Sequence, residues 1–180
     1  MTSFSGRTLS VPAALFALLL AAGCTPPGDG SGGDAGLGEP APEFALKDLT
    51  GRIVRLADFK GKVVLIDFWA TYCLPCRDAI PELQALHDKH QAEGFAVIGI
   101  SVDAYAGHVP DFVRELGVKY PVVLDPEQET ARSFGFSQLP TTFLVDRSGR
   151  IRRKWLGYDP AIAEEIHREV AAALQDKGTS

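Results

Sequence analysis

Eight residues, Lys62–Trp69 (KVVLIDFW), limit most tightly what this chain can become. A nearly unbroken β-branched and aromatic run is expected of a strand covered on both faces. A second such run is Phe95–Val102 (FAVIGISV). Between them Ile80, Leu83 and Leu86 recur at helical spacing up to Gly94, which ends the helix. Ahead of the first run, two short extended pieces are expected around Glu43–Leu46 and Arg52–Leu56, joined by a Thr50-Gly51 turn. After the second come a short helix at His108–Leu116, a strand at Tyr120–Leu124 and a helix at Glu127–Phe134. Thr142–Asp146 and Ile151–Leu156 flank an Asp-Arg-Ser-Gly turn and form a β-hairpin. A final helix takes Asp159 as N-cap and Pro160 as its first residue, with Ile162, Ile166, Val170 and Leu174 as its apolar stripe. Strands alternating with helices and ending in a hairpin predict one α/β domain, a mixed central sheet flanked by helices on both faces.

The N-terminal part is of another kind. Arg7 is the only charged side chain in residues 1–23, and Val11–Ala22 form an apolar run of 12 residues. A membrane span needs roughly 20, so residues 1–23 read as a secretory signal. Cys24 follows directly, and Ala-Ala-Gly-Cys resembles a bacterial lipobox, in which the cysteine is acylated after cleavage. Residues 24–40 carry six Gly and three Pro and bury too little to order themselves, so they form a flexible tether. The domain is then 41–180. A net charge of −5 argues against nucleic acid, whose phosphates need a basic surface. Three cysteines are too few for a disulfide-dense scaffold.

Cys73-Leu74-Pro75-Cys76 falls where the first buried strand gives way to the long helix. A cysteine at a helix N-terminus has its thiolate favoured by unpaired N–H groups and the macrodipole. The alternatives are a structural disulfide, half of a zinc site, or haem attachment. Haem attachment needs His after the second Cys, where Arg77 stands. Zinc would have to recruit His87 or His90, yet Cys76 and His87 are about 16 Å apart along one helix and cannot converge. Both histidines are therefore expected on a solvated helix face. A structural disulfide here would add little, because the helix already holds its ends. Redox chemistry is the reading the pair supports best.

Asp67-Phe68-Trp69-Ala70-Thr71-Tyr72-Cys73-Leu74-Pro75-Cys76 resembles the thioredoxin active-site signature, and the similarity extends over 41–176, including Leu139-Pro140-Thr141-Thr142-Phe143. The lipobox, the tether and an extra helix–strand segment at 104–125 resemble the TlpA/ResA-like extracytoplasmic thiol–disulfide oxidoreductases. The resemblance implies a thioredoxin-like fold with an N-terminal extension and a central helix–strand insert. It implies Cys73 as nucleophile and Cys76 as resolving thiol of a redox disulfide. Pro140 would be a cis-proline facing the substrate, and Asp67 a buried carboxylate that takes the Cys76 proton. Trp69, Tyr72, Pro75, Leu139 and Thr141 would shape the substrate surface. Tyr72 stands where Trp is usual, and Ala79 where many members carry Glu.

The function expected is reduction of extracytoplasmic protein disulfides, with cytochrome c maturation as one setting. The expected partners are a disulfide-bearing protein substrate, a membrane electron-relay thiol protein, and the membrane itself through a lipid on Cys24. The chain is expected to be monomeric, without cofactor or metal. Two other functions compete. A peroxiredoxin-like thiol peroxidase usually has Thr three residues before its cysteine, whereas Thr71 is two before Cys73. A copper-binding chaperone would use the paired thiolates as soft ligands.

Overall fold

The computed structural model describes residues 1–3 and 36–176. Cys24, the apolar run and the tether up to residue 35 lie outside the described residues. The elements are β1 (Ala45–Asp48), β2 (Ile53–Arg55), β3 (Val63–Trp69), α1 (Leu74–His90), β4 (Phe95–Ser101), α2 (Val109–Glu115), β5 (Val122–Leu124), α3 (Glu129–Phe134), β6 (Thr141–Val145), β7 (Ile151–Leu156) and α4 (Pro160–Gln175).

All seven residues of β3 are buried, and so are all seven of β4. The two pair in parallel, Asp67 opposite Gly99 and Trp69 opposite Ser101. The seven-stranded sheet runs β2-β1-β5-β4-β3-β6-β7. Its middle, β5-β4-β3, is parallel, and antiparallel hairpins close both edges. It is the mixed sheet of a thioredoxin-like fold. The insert between β4 and α3 supplies α2 and β5, and β5 joins the N-terminal hairpin to the rest.

Alternation along β3 sends neighbouring side chains to opposite faces. On one face Trp69 stacks on Phe112 of α2 at 5.1 Å, and α1 and α4 complete the cover. Arg77 of α1 lies over the same Phe112 ring and pairs with Glu115. On the other face Phe68 packs against Phe134 of α3 at 5.1 Å and Phe136 at 4.6 Å, with Phe143 behind. In α4 the Asp159 side chain accepts from the Ile162 N–H at 2.8 Å, and Ile166 and Val170 are buried.

Several boundaries differ from expectation for local reasons. β1 ends at Asp48, whose Oδ1 accepts from the Thr50 N–H, the Thr50 hydroxyl and the Arg52 N–H, fixing the hairpin turn. β5 starts only at Val122: Pro121 has no N–H to give, and Tyr120 is buried instead of pairing. α1 ends at His90, and a short 3-10 turn leads to Gly94 at φ +83°, a left-handed position that suits glycine. The tether is expected to reach Pro40, yet Gly38 and Ala41 donate to Ile151 and Gly149, and Glu39 accepts from Ile151. Those bonds satisfy part of the outer edge of β7. His90 is also not solvated. It is buried, with Nδ1 2.9 Å from Glu93 and its ring against Phe95; His87 is half-buried with its ring facing Tyr120.

Gly99 is a tight point of the core. A Cβ there would lie 2.9 Å from Trp69 Nε1 and 3.1 Å from the Tyr120 ring. Gly99→Ala should therefore destabilise the domain by about 1–2 kcal/mol in urea unfolding. Overpacking costs roughly 1–3 kcal/mol, against roughly 0.4–1 gained from a stiffer unfolded chain. Equal or higher stability would mean that the two rings move aside freely.

Candidate active site

The chain leaves the sheet after Trp69, and the Cys73 N–H donates to the Ala70 carbonyl at 3.1 Å. That turn delivers Cys73 to the N-cap of α1 in an extended conformation, with Pro75 in the first helical turn, where its missing N–H costs nothing. Farther on, Pro81 lies inside the same helix. Cys73 and Cys76 form a disulfide with their Cα atoms 5.3 Å apart. The two sulfur-bearing residues differ in access: Cys73 is 8% exposed and Cys76 is sealed at 0%.

Cys73 lies in the wall of a groove of about 500 Å³. Tyr72, Pro75 and Leu139 line it with Cys73, so four of the residues expected from sequence meet here. Val102, Gln128, Phe136 and Gln138 also line it. Tyr72 and Leu74 beside the disulfide are largely exposed. The Leu139–Pro140 peptide bond is cis, and the Pro140 carbonyl accepts from the Gly157 N–H at 2.8 Å. Trp69 and Thr141 are not on this surface. Both are fully buried: Trp69 is held in its stack with Phe112, and the Thr141 hydroxyl donates to the Gln138 carbonyl at 2.8 Å.

Asp67 is fully buried in β3, and Oδ1 accepts from the Thr142 hydroxyl at 3.0 Å. Oδ2 has no partner; the same holds for Trp69 Nε1 and the Tyr120 hydroxyl. Desolvation disfavours the charged form and pushes the Asp67 carboxyl up to about 7, against a smaller opposing effect of the Thr142 bond. Burial, and then the nearby Asp67 charge, hold the Tyr120 phenol well above its usual range. Burial with Glu82, Asp78 and Asp67 pushes Tyr158 up to about 12. Asp67 and two acidic side chains of α1, Asp78 and Glu82, thus act together on Tyr158.

Sequence reasoning passed over three of these residues. Asp103, just past β4, receives hydrogen bonds from Thr71. Gln128 stands at φ +55° beside the groove, an uncommon conformation for a residue other than glycine. Tyr120 carries a buried hydroxyl that feels the Asp67 charge. The available signal was position: open parallel sheets place functional groups beyond the carboxyl ends of their strands, which is where Cys73 and Asp103 stand. Among the described residues no three His, Cys, Asp or Glu side chains gather in a way that could hold a metal.

The Asp67 environment has a consequence for stability. Its unfolded-state carboxyl ionises near pH 3.9 and its folded one near 7. Between those values the folded state holds the extra proton, so stability falls as pH rises. Relative to Asp67→Asn, the wild type should lose on the order of 4 kcal/mol between pH 4 and 7 and little more above 8. Urea titrations of both proteins across that range would test it; parallel stability curves would place the Asp67 carboxyl in the ordinary range.

Comparison with known proteins agrees with this site. The AhpC/TSA family profile matches residues 37–154. The chain is 36% identical over 121 residues to the thiol-disulfide oxidoreductase ResA of Bacillus anthracis, covering 67% of this chain and 70% of that protein. To ResA of Geobacillus thermodenitrificans it is 35% identical over 117 residues, covering 65% of this chain and 67% of the other. The crystal structure of a Chlorobium tepidum protein described as thiol:disulfide interchange protein DsbE superposes with a TM-score of 0.75 at 37% identity, covering 77% of this chain and 98% of that one. With its disulfide at the head of α1 and a thioredoxin-like sheet beneath, the chain belongs to the AhpC/TSA family, and within it to the TlpA/ResA-like thiol–disulfide oxidoreductases.

Proposed function

We propose that this oxidoreductase works as a reductant of protein disulfides outside the cytoplasm, tethered to a membrane by a lipid on Cys24. The observation that carries the reading is the unequal access of the pair, Cys73 in the groove wall and Cys76 sealed behind it. The Cys73 thiolate attacks a substrate disulfide, forming a Cys73–substrate bond and releasing one substrate thiolate, which takes a proton from water. Cys76 then gives its proton to the Asp67 carboxylate. Its thiolate attacks the Cys73 sulfur, closes the Cys73–Cys76 bond and releases the second substrate thiolate. Two electrons pass to the substrate, and a membrane thiol protein returns them to the pair.

The groove suits an extended, largely apolar segment beside the substrate disulfide. Tyr72, Phe136 and Leu139 offer apolar contact, and the exposed chain leading to Pro140 offers backbone groups, as in strand addition. No helix among the described residues is long and apolar enough to cross a membrane; the proposed anchoring rests on the lipobox-like setting of Cys24. Cytochrome c precursors are the substrate class proposed from the resemblance. A thiol peroxidase is the second reading, and it draws on the AhpC/TSA match. The neighbouring second cysteine favours dithiol exchange instead.

Trapping tests the reading. In a bacterial envelope, Cys76→Ser should accumulate dithiothreitol-sensitive adducts in the membrane fraction, because the attacking thiol remains and the resolving one is gone. Adding Cys24→Ser should move those adducts to the soluble fraction. Cys73→Ser should trap nothing comparable. More adducts with Cys73→Ser than with Cys76→Ser would reverse the assignment of nucleophile, and peroxide turnover exceeding insulin-disulfide reduction would favour the peroxidase.

A further inference from the structure

The turn that carries Cys73 is held from outside by one side chain. The Thr71 N–H lies 3.2 Å from Asp103 Oδ1 and 3.0 Å from Oδ2, and the Thr71 hydroxyl donates to Oδ1 at 2.6 Å. The Ser101 hydroxyl donates to Oδ2 at 2.8 Å and sits 3.3 Å from the Asp103 N–H as its acceptor. Asp103 is only 6% exposed, and these three donors are neutral. Hydrogen bonds to an ionised acceptor are about twice as strong as neutral ones, so the clamp is firm without an ion pair.

Backbone bonds restrain the same turn. Val102 donates to the Trp69 carbonyl at 2.9 Å, and Cys73 to the Ala70 carbonyl at 3.1 Å. Cys73 itself makes no side-chain capping bond to α1. The disulfide ties its side chain to Cys76, and the turn before the helix sets where its backbone enters α1. Thr71, two residues upstream, is where that turn is pinned to the end of β4.

We propose that Asp103 is a positioning residue for the redox pair. By clamping Thr71 it holds Cys73 at the head of α1, where its sulfur meets Cys76 on one side and the groove on the other. The proposal rests on the dithiol–disulfide reading above. A pre-set turn keeps Cys76 at high effective concentration toward Cys73, which favours ring closure both in the resting disulfide and during resolution. Without the clamp, residues 70–72 gain conformations and the ring closes less readily. An Asp103 that only stabilised the fold would leave the exchange equilibrium of the folded protein unchanged.

The test equilibrates the full chain with mixtures of reduced and oxidised dithiothreitol at pH 7 and measures the disulfide fraction, with folding monitored by circular dichroism. Asp103→Ala should shift the equilibrium toward the dithiol by about tenfold, the effect of losing roughly one hydrogen bond to a charged group. It should slow resolution of a preformed Cys73 mixed disulfide by a similar factor, lowering kcat and leaving KM nearly unchanged. Asp103→Asn keeps an acceptor for Thr71 and can donate to Ser101, so it should restore most of both. Thr71→Val removes one donor with little burden on the fold and should shift the equilibrium about threefold, which covers the case of an Asp103→Ala protein that does not fold. Variants that match wild type in both equilibrium and resolution rate would overturn the proposal alone. A wild-type pair that does not exchange with dithiothreitol would overturn the redox reading, and this proposal with it.

Discussion

The isolation of one carboxyl inside the sheet is the constraint on which the proposed exchange chemistry depends. Asp67 lies in the middle of β3 with a single neutral partner, the Thr142 hydroxyl. An ionised carboxylate so placed loses its hydration without a cation to replace it, which costs several kcal/mol, and the group answers by keeping its proton. Its neighbours fit that state. Gly99 opposite leaves room for Trp69 and Tyr120 to close over the position, and both present polar atoms without partners. A group that changes protonation near neutral pH inside a fixed scaffold can take up and return a proton without large rearrangement.

The parallel core places the rest. β3, β4 and β5 run the same way, so the chain leaves all three at one edge. Cys73 follows β3, Asp103 follows β4 and Asp125 follows β5. Asp125 accepts from the Thr130 and Ala131 N–H groups and so fixes the start of α3, which leads into Phe136 and Leu139 of the groove. Asp103 thus ties down the neighbouring loop through Thr71, and Asp125 the first turn of α3. The disulfide, the groove and the cis-proline turn are thus three products of one strand arrangement.

Much of this was legible in the sequence because its signals are local or depend on strict periods. KVVLIDFW and FAVIGISV read as fully buried strands since nothing polar alternates in them, and the Asp159-Pro160 start of α4 carries its own capping chemistry. Cys73 and Cys76 were legible because their spacing is chemical. What stayed hidden depends on pairs far apart in the chain. The hydrogen bond from Thr71 to Asp103 spans 32 residues, and neither residue type is unusual for a loop. The burial of His90 was missed because a helix face that is polar by composition can still be covered by Glu93 and Phe95 just beyond its end. The resemblance places Thr141 and Trp69 on the substrate surface, whereas both lie in strands buried along their whole length, covered on both faces.

In the proposed exchange, Asp67 accepts the proton that Cys76 must lose before it can attack. The most direct test preforms a mixed disulfide between Cys73 and a fluorescent thiol, then follows its release by stopped flow from pH 6 to 9 in wild type and Asp67→Asn. The wild-type rate should rise as Asp67 ionises around pH 7. The variant should be slower near neutrality by on the order of 100-fold and approach wild type only as Cys76 ionises unaided at higher pH. Equal rates for the two proteins across the whole range would make Asp67 a structural acid and contradict the account.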